Sequence, residues 1–257
     1  MFSKRKKIIL TSLVLSLGFV GIQAFPDQYR FGAIGGLTIL TATLFAFSLW
    51  EGLGMNMTLL TLILPTLFTL GVGIFWFLIP ANIYAQIPVI ILYGFGIYVL
   101  CLTMNIYTVA TIRTIALLRA ARGVGFVLTL LTSFLVYDAI FSLRTYLPFT
   151  IGLVGLISFP IFFQGLWAVP LEKEFSKDIL SVALVSSLII GELALSLYFW
   201  PVTVVVGSLF LTVSLYLLLG LGQARLEGRL FTQTVKEYLV VGILVFIGMY
   251  LATRWGG

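Results

Sequence analysis

VGFVLTLLTSFLVYDAIFSL, residues 124–143, is the stretch that decides the fold. It runs from Val124 to Leu143 with one charged residue, Asp138. A soluble amphipathic helix would break such a run with polar residues, because one face meets water. At 1.5 Å per residue it reaches about 30 Å, the thickness of a bilayer's hydrocarbon core. A helix crossing a membrane satisfies its own backbone groups and needs no polar face.

Comparable runs lie on both sides. The candidate spans are Ile8–Phe25, Phe31–Trp50, Met57–Ile79, Ile87–Ile112, Val124–Leu143, Leu147–Val169, Ile179–Trp200, Val202–Leu221 and Tyr238–Ala252. The first is short. The last is shorter still, and residues before Glu237 or after Ala252 would complete it. The expected fold is all-α, a polytopic transmembrane bundle of about nine spans. Residues 1–257 read as a single transmembrane helical domain with no soluble domain.

Composition agrees. Hydrophobic residues make up 61% of the 257 and charged residues 9%, against about 25% charged in an ordinary soluble domain. Short alternating segments, the mark of a membrane barrel, are absent. There is no histidine, which removes histidine general bases, Ser-His pairs and the usual zinc sites. No cofactor and no metal is expected. One cysteine, Cys101, allows no intrachain disulfide.

The charged loops give an orientation. With the N-terminus in the cytoplasm, the inner side carries Lys4, Arg5, Lys6, Lys7, Arg113, Arg119, Arg122, Lys173, Lys177, Arg225, Arg229 and Lys236. The outer side carries Arg30, Arg144 and Arg254. This asymmetry predicts a cytoplasmic N-terminus, an outer C-terminus and a multi-pass protein of the cell membrane. The net charge of +6 therefore reports topology, and nucleic acid is excluded as a partner. Trp50, Tyr146, Trp167, Trp200 and Trp255 suit interfacial belts. The opening KRKKIILTSLVLSLGFVGIQA, residues 4–24, also has the form of a secretory signal peptide. An uncleaved anchor is expected, because Ile22 suits a cleavage site poorly and more spans follow.

TIRTIALLRAARG, residues 111–123, places Arg119 and Arg122 on one helical face. With Arg113 they are expected to act as membrane-surface anchors. Inside the spans the polar residues are few. Asp138 lies roughly 21 Å past Val124, and Glu192, in IIGELALS, lies roughly 20 Å past Ile179. Both helices run the same way, so the two acids share a depth. A charged acid at mid-bilayer costs about 2.5–3.5 kcal/mol. Each is therefore expected to point inward and to be protonated, hydrogen-bonded or paired. If the fifth and seventh spans touch, the acids could share one proton or bind a cation. Ser142 and Ser196 sit one turn beyond them as hydrogen-bonding candidates. Arg144 lies about 240° around the helix from Asp138, a poor partner from the same helix. Asn105, in CLTMNIYTVAT, shares a face with Cys101 and Thr108 and either ties helices or holds a ligand. Gln164 and Glu51 read as interfacial. Pro65 and Pro160 predict kinks, and Gly32 with Gly36 predicts close helix packing.

Tyr137–Asp138 resembles the first motif of the intramembrane aspartyl proteases, which set a YD on one helix against GxGD on a later one. The resemblance implies a pair of catalytic aspartates. It covers two residues and a span count. Gly191–Glu192 stands where GxGD would be needed, and the last span lacks the Pro-Ala-Leu motif, so the chain is not assigned to that family. Aspartate-rich prenyltransferase motifs, a Walker motif and HExxH are absent as well.

Three classes of function remain. The first is a small-molecule or ion transporter using Asp138 and Glu192, with Asn105 as a further ligand candidate. The second is a non-catalytic membrane subunit or scaffold. The third is a lipid-modifying enzyme, disfavoured by short loops and the lack of histidine. The expected partners are the lipid bilayer, a small-molecule or ion substrate, and a membrane protein.

Overall fold

The computed structural model describes residues 4–22, 25–49, 55–78, 83–111, 116–172 and 176–253. Among them the chain is all-helical: α1 Lys4–Ile22, α2 Asp27–Leu49, α3 Met55–Phe75, α4 Ile83–Ala110, α5 Leu118–Ser142, α6 Leu147–Trp167, α7 Lys177–Tyr198, α8 Val204–Leu226 and α9 Thr232–Ala252. A 3₁₀ turn, Trp76–Leu78, extends α3. Eight helices, α2 to α9, are long and apolar enough to cross a membrane. The protein is thus a multi-pass membrane protein. Helix α1 falls short because its first turn is Lys4-Arg5-Lys6-Lys7, leaving an apolar part, Ile8–Ile22, of about 22 Å. Helix α9 gains its length upstream, at Thr232. Trp50, Glu51, Arg113, Lys173, Arg254 and Trp255 lie outside the described residues.

Where the sequence reads as one domain, packing groups the chain into two compact units, Met1–Leu128 and Thr129–Gly257, divided inside α5. In the first unit α1 packs on α2 and α4, and α3 packs on α2 and α4, closing a four-helix ring. Its centre is aromatic. Phe19 of α1 stacks on Tyr93 of α4 at 4.6 Å and meets Trp76 edge-on at 5.4 Å. A buried hydroxyl chain ties three helices. Thr41 donates its proton to Leu37 O at 2.9 Å, so it accepts from Thr69 (3.1 Å), which accepts from Tyr93 (3.2 Å). Every donor in that chain is satisfied, which is the condition for keeping hydroxyls in an apolar core.

Glycines set how closely these helices approach. A Cβ on Gly96 would lie 2.6 Å from the Phe68 ring, and one on Gly73 would lie 2.7 Å from Ile34. Gly32 and Gly36 do not take the close-packing role their spacing suggests, since a Cβ on either meets nothing within 4 Å.

In the second unit α6 packs on α7 and α8, α7 on α8, and α8 on α9. Helix α6 contains Pro160. Helix α9 buries only Met249 and is tied to α8 by rings, Tyr216 with Tyr238 at 5.4 Å and Phe210 with Phe246 at 6.3 Å. Trp200 clamps the end of α9 by donating its Nε1–H to Thr253 Oγ1 at 2.9 Å.

Candidate functional site

The second unit holds the carboxylate at the middle of the opening stretch. Leu135, Val136, Tyr137, Asp138, Ala139 and Ile140 are all buried, and Asp138 is 2% exposed. Six consecutive buried residues cover more than a full turn, so α5 is enclosed on every side at this level. A helix facing lipid on one side would expose two of the six. Tyr137 is fixed beside the acid. Ser158 gives its only proton to Val154 O at 2.6 Å, so the Tyr137 hydroxyl donates to Ser158 Oγ at 2.7 Å. Asp138 has no such partner: its Oδ1 makes no hydrogen bond among the described residues. Ser142, one turn on, does not supply one.

Above Asp138, three residues along the helix, Phe141 enters the wall of a pocket of about 270 Å³. Its lining mixes Arg144, Thr145, Thr150 and Thr203 with Tyr198, Trp200 and Gly207. Thr145 and Thr150 hydroxyls are 2.9 Å apart and hydrogen-bonded. Arg144 adopts a left-handed backbone with φ of 46°, which costs a non-glycine residue about 1–3 kcal/mol. That conformation turns the chain from α5 into α6 and sets the guanidinium at the pocket. A cation, several hydroxyls and three aromatic rings suit a small anionic or polar ligand. The sequence marked Arg144 as an outer-side charge and as a poor partner for Asp138, not as part of a site. The available signal was the clustering of SLRTY and YFWPVT at the same ends of four helices.

Glu192 stands apart from this site. It is exposed on α7, whereas its neighbours Gly191 and Ala194 are buried. Ser196 donates to the Glu192 backbone carbonyl at 3.1 Å and not to its carboxylate. The proton-sharing pair that a contact between the fifth and seventh spans would have allowed is therefore not formed among the described residues. Depth along a helix follows from counting residues. The direction a residue faces does not, and α7 turns Glu192 away from its own packed side.

Asn105 is half-buried on α4 in the first unit, and its backbone carbonyl accepts from Thr108 Oγ1 at 2.9 Å. It is not in the same unit as Asp138 and Glu192. Residues 118–123 form the start of α5 and not a separate surface helix, so exposed Arg119 and half-buried Arg122 stand on that helix's first turns.

Gln164 is buried at 2% exposure, with no partner for Oε1 among the described residues. It is therefore enclosed by protein and not reached by water, as an open inner-face position would be. The chain after α6 folds back over the helix end: Leu171 N–H bonds to Trp167 O at 3.0 Å, and Trp167 Nε1–H donates to Glu172 O at 2.8 Å. The same fold-back buries Trp167, which the sequence placed in an interfacial belt. A shallow groove of about 650 Å³ separates α7 from α8 near Asp178 and Arg225.

A family model described as a protein of unknown function, DUF5656, matches residues 33–252. That match runs from α2 to the end of α9. The chain belongs to the DUF5656 family. Asn105, Asp138, Arg144 and Glu192 all fall inside the part of the DUF5656 chain that the family model covers. No curated protein and no solved structure gives a significant match.

Proposed function

We propose that this DUF5656 protein is a small-molecule or ion permease of the cell membrane, with Asp138 as its proton- or cation-binding group. The observation that carries this is the enclosed Asp138 carboxyl with an unbonded Oδ1. A carboxylate in the bilayer needs compensation worth about 2.5–3.5 kcal/mol. Neighbouring side chains do not give it to Oδ1, which leaves a transported proton or cation to do so. The Arg144 pocket, reached through Phe141, serves as the mouth and favours an anionic or polar substrate. With the N-terminus in the cytoplasm, that mouth opens outward. Tyr137, locked to Ser158, holds the wall beside Asp138 in one rotamer.

The test is proton entry into liposomes that hold the purified protein and a trapped pH dye, driven by a potassium diffusion potential. Acidification faster than in empty liposomes, abolished by Asp138→Asn, is expected. Equal rates for parent and Asp138→Asn would sink the assignment. A second class of function, a subunit of a larger membrane assembly, is favoured by the exposed carboxylate of Glu192.

A further inference from the structure

The Arg144 pocket is graded along its depth. Arg144 follows the end of α5 and Thr203 precedes the start of α8, whereas Phe141 and Gly207 lie on those helices, three and four residues further in. At 1.5 Å per residue that is roughly 5 Å deeper. Buried Leu197 joins them from α7. The outer end is therefore polar and the inner end apolar. The polar end has protons to give. Arg144 offers its guanidinium, and no acidic side chain lines the pocket among the described residues. Thr203 Oγ1 accepts from Val206 N–H at 3.4 Å and keeps its own proton to donate. The Thr145 and Thr150 hydroxyls bond to each other, and Trp200 spends its indole N–H on Thr253. Two donors, one of them charged, thus share a pocket that holds no counter-charge.

We propose that this pocket takes a small organic acid with one carboxylate and an apolar body, the carboxylate on Arg144 and Thr203 and the body against Phe141, Leu197 and Gly207. This rests on the reading of the pocket as the substrate mouth and names the class of substrate. One cation without a counter-charge matches one negative charge. A guanidinium meets both oxygens of a carboxylate through two parallel N–H bonds, and a hydroxyl supplies a third. A cationic ligand would be repelled by Arg144, and a neutral one would leave its charge uncompensated. A cavity of about 270 Å³ lies just below the range that takes drug-sized ligands, which fits a body of about one ring. Gly207 sets that limit. A Cβ there would lie 3.6 Å from the Phe141 ring and from Val202. That is ordinary contact, so the fold accepts alanine while the floor loses room. The phosphodiester of a membrane lipid shares the negative charge, but its glycerol is polar where this floor is apolar, and its two chains continue into the bilayer.

The test is calorimetric titration of the purified protein, in detergent free of phospholipid, with three probes: benzoate, neutral benzamide of the same shape, and 2-naphthoate with its second ring. Benzoate should bind saturably, and benzamide about tenfold more weakly. Arg144→Asn should weaken benzoate by about tenfold or more. Asparagine tolerates the left-handed backbone of that position, so an unchanged melting temperature separates lost binding from lost fold. Gly207→Ala should weaken 2-naphthoate about tenfold more than benzoate, a ratio that general destabilisation does not move. Binding is read without transport. Liposomes that fail to acidify would leave these titrations standing, and a failed titration would leave proton entry through Asp138 standing. Equal binding of benzoate and benzamide, benzoate binding that survives Arg144→Asn, or no saturation at millimolar concentrations overturns the proposal. A parental ratio of the two acids in Gly207→Ala overturns the placement of the apolar body. A short-chain phosphatidylglycerol that displaces benzoate at a lower concentration than 2-naphthoate does would assign Arg144 to lipid headgroups and overturn the free acid as occupant.

Discussion

Two neighbouring residues on α5 show how differently a membrane interior treats polar groups. Tyr137 is buried with its hydroxyl bonded to Ser158, and Asp138 is buried with Oδ1 unbonded. The first arrangement stabilises and the second does not. Removing the Tyr137 hydroxyl by Tyr137→Phe leaves Ser158 still bonded to Val154 O, so the loss should be about 1 kcal/mol. Asp138→Asn removes the ionisable group and keeps the shape. It should leave stability unchanged or raise it, by up to about 2 kcal/mol, as neutralising an uncompensated buried group does. Thermal unfolding in detergent separates the two. A lower melting temperature for Asp138→Asn than for Tyr137→Phe would mean that Asp138 is a structural member of the core.

At the scale of elements, the helices were legible and their facing was not. Apolar runs of about 20 residues specify a span whatever surrounds it, so eight helices appear where the sequence put them. A helix in water advertises its buried face by polarity contrast. In a bilayer the outward face is as apolar as the inward one, and the contrast vanishes. Asp138 and Glu192 therefore looked alike in sequence, yet one is enclosed and the other exposed. Gln164 shows the same limit, because it lies on the buried side of the end of α6, which counting residues does not reveal. Glycine shows the same blindness: Gly32–Gly36 has the packing motif and faces open space, whereas Gly96, outside any such motif, packs against Phe68. Gly96→Val should lose about 1–3 kcal/mol through overpacking against that ring. Gly36→Ala should gain about 0.5–1 kcal/mol from reduced unfolded-chain freedom. Denaturation of each variant checks the order, and a Gly36→Ala that destabilises as much as Gly96→Val would put α2 in a close contact.

At the scale of the whole molecule, parity of crossings sets the sides on which loops emerge. Helix α1 has only about 22 Å of apolar length after its basic first turn, but it belongs to the first unit, with Phe19 stacked on Tyr93 and Lys7 lying 5.5 Å from the Phe47 ring. That contact joins the start of α1 to the end of α2, as two antiparallel crossings require. If α1 crosses and carries its lysines inward, the links α5–α6 and α7–α8 emerge outside and the link α8–α9 emerges inside. The basic residues lean the same way: Arg225 and Arg229 flank the α8–α9 link, whereas the α5–α6 link carries Arg144 alone and the α7–α8 link carries none in its sequence. Exposed Pro201 and Arg229 make the test direct. In intact cells carrying a Cys101→Ser background, Pro201→Cys should react with a membrane-impermeant maleimide. Arg229→Cys should react only after permeabilisation. The reverse pattern would invert the molecule and place the Arg144 pocket toward the cytoplasm.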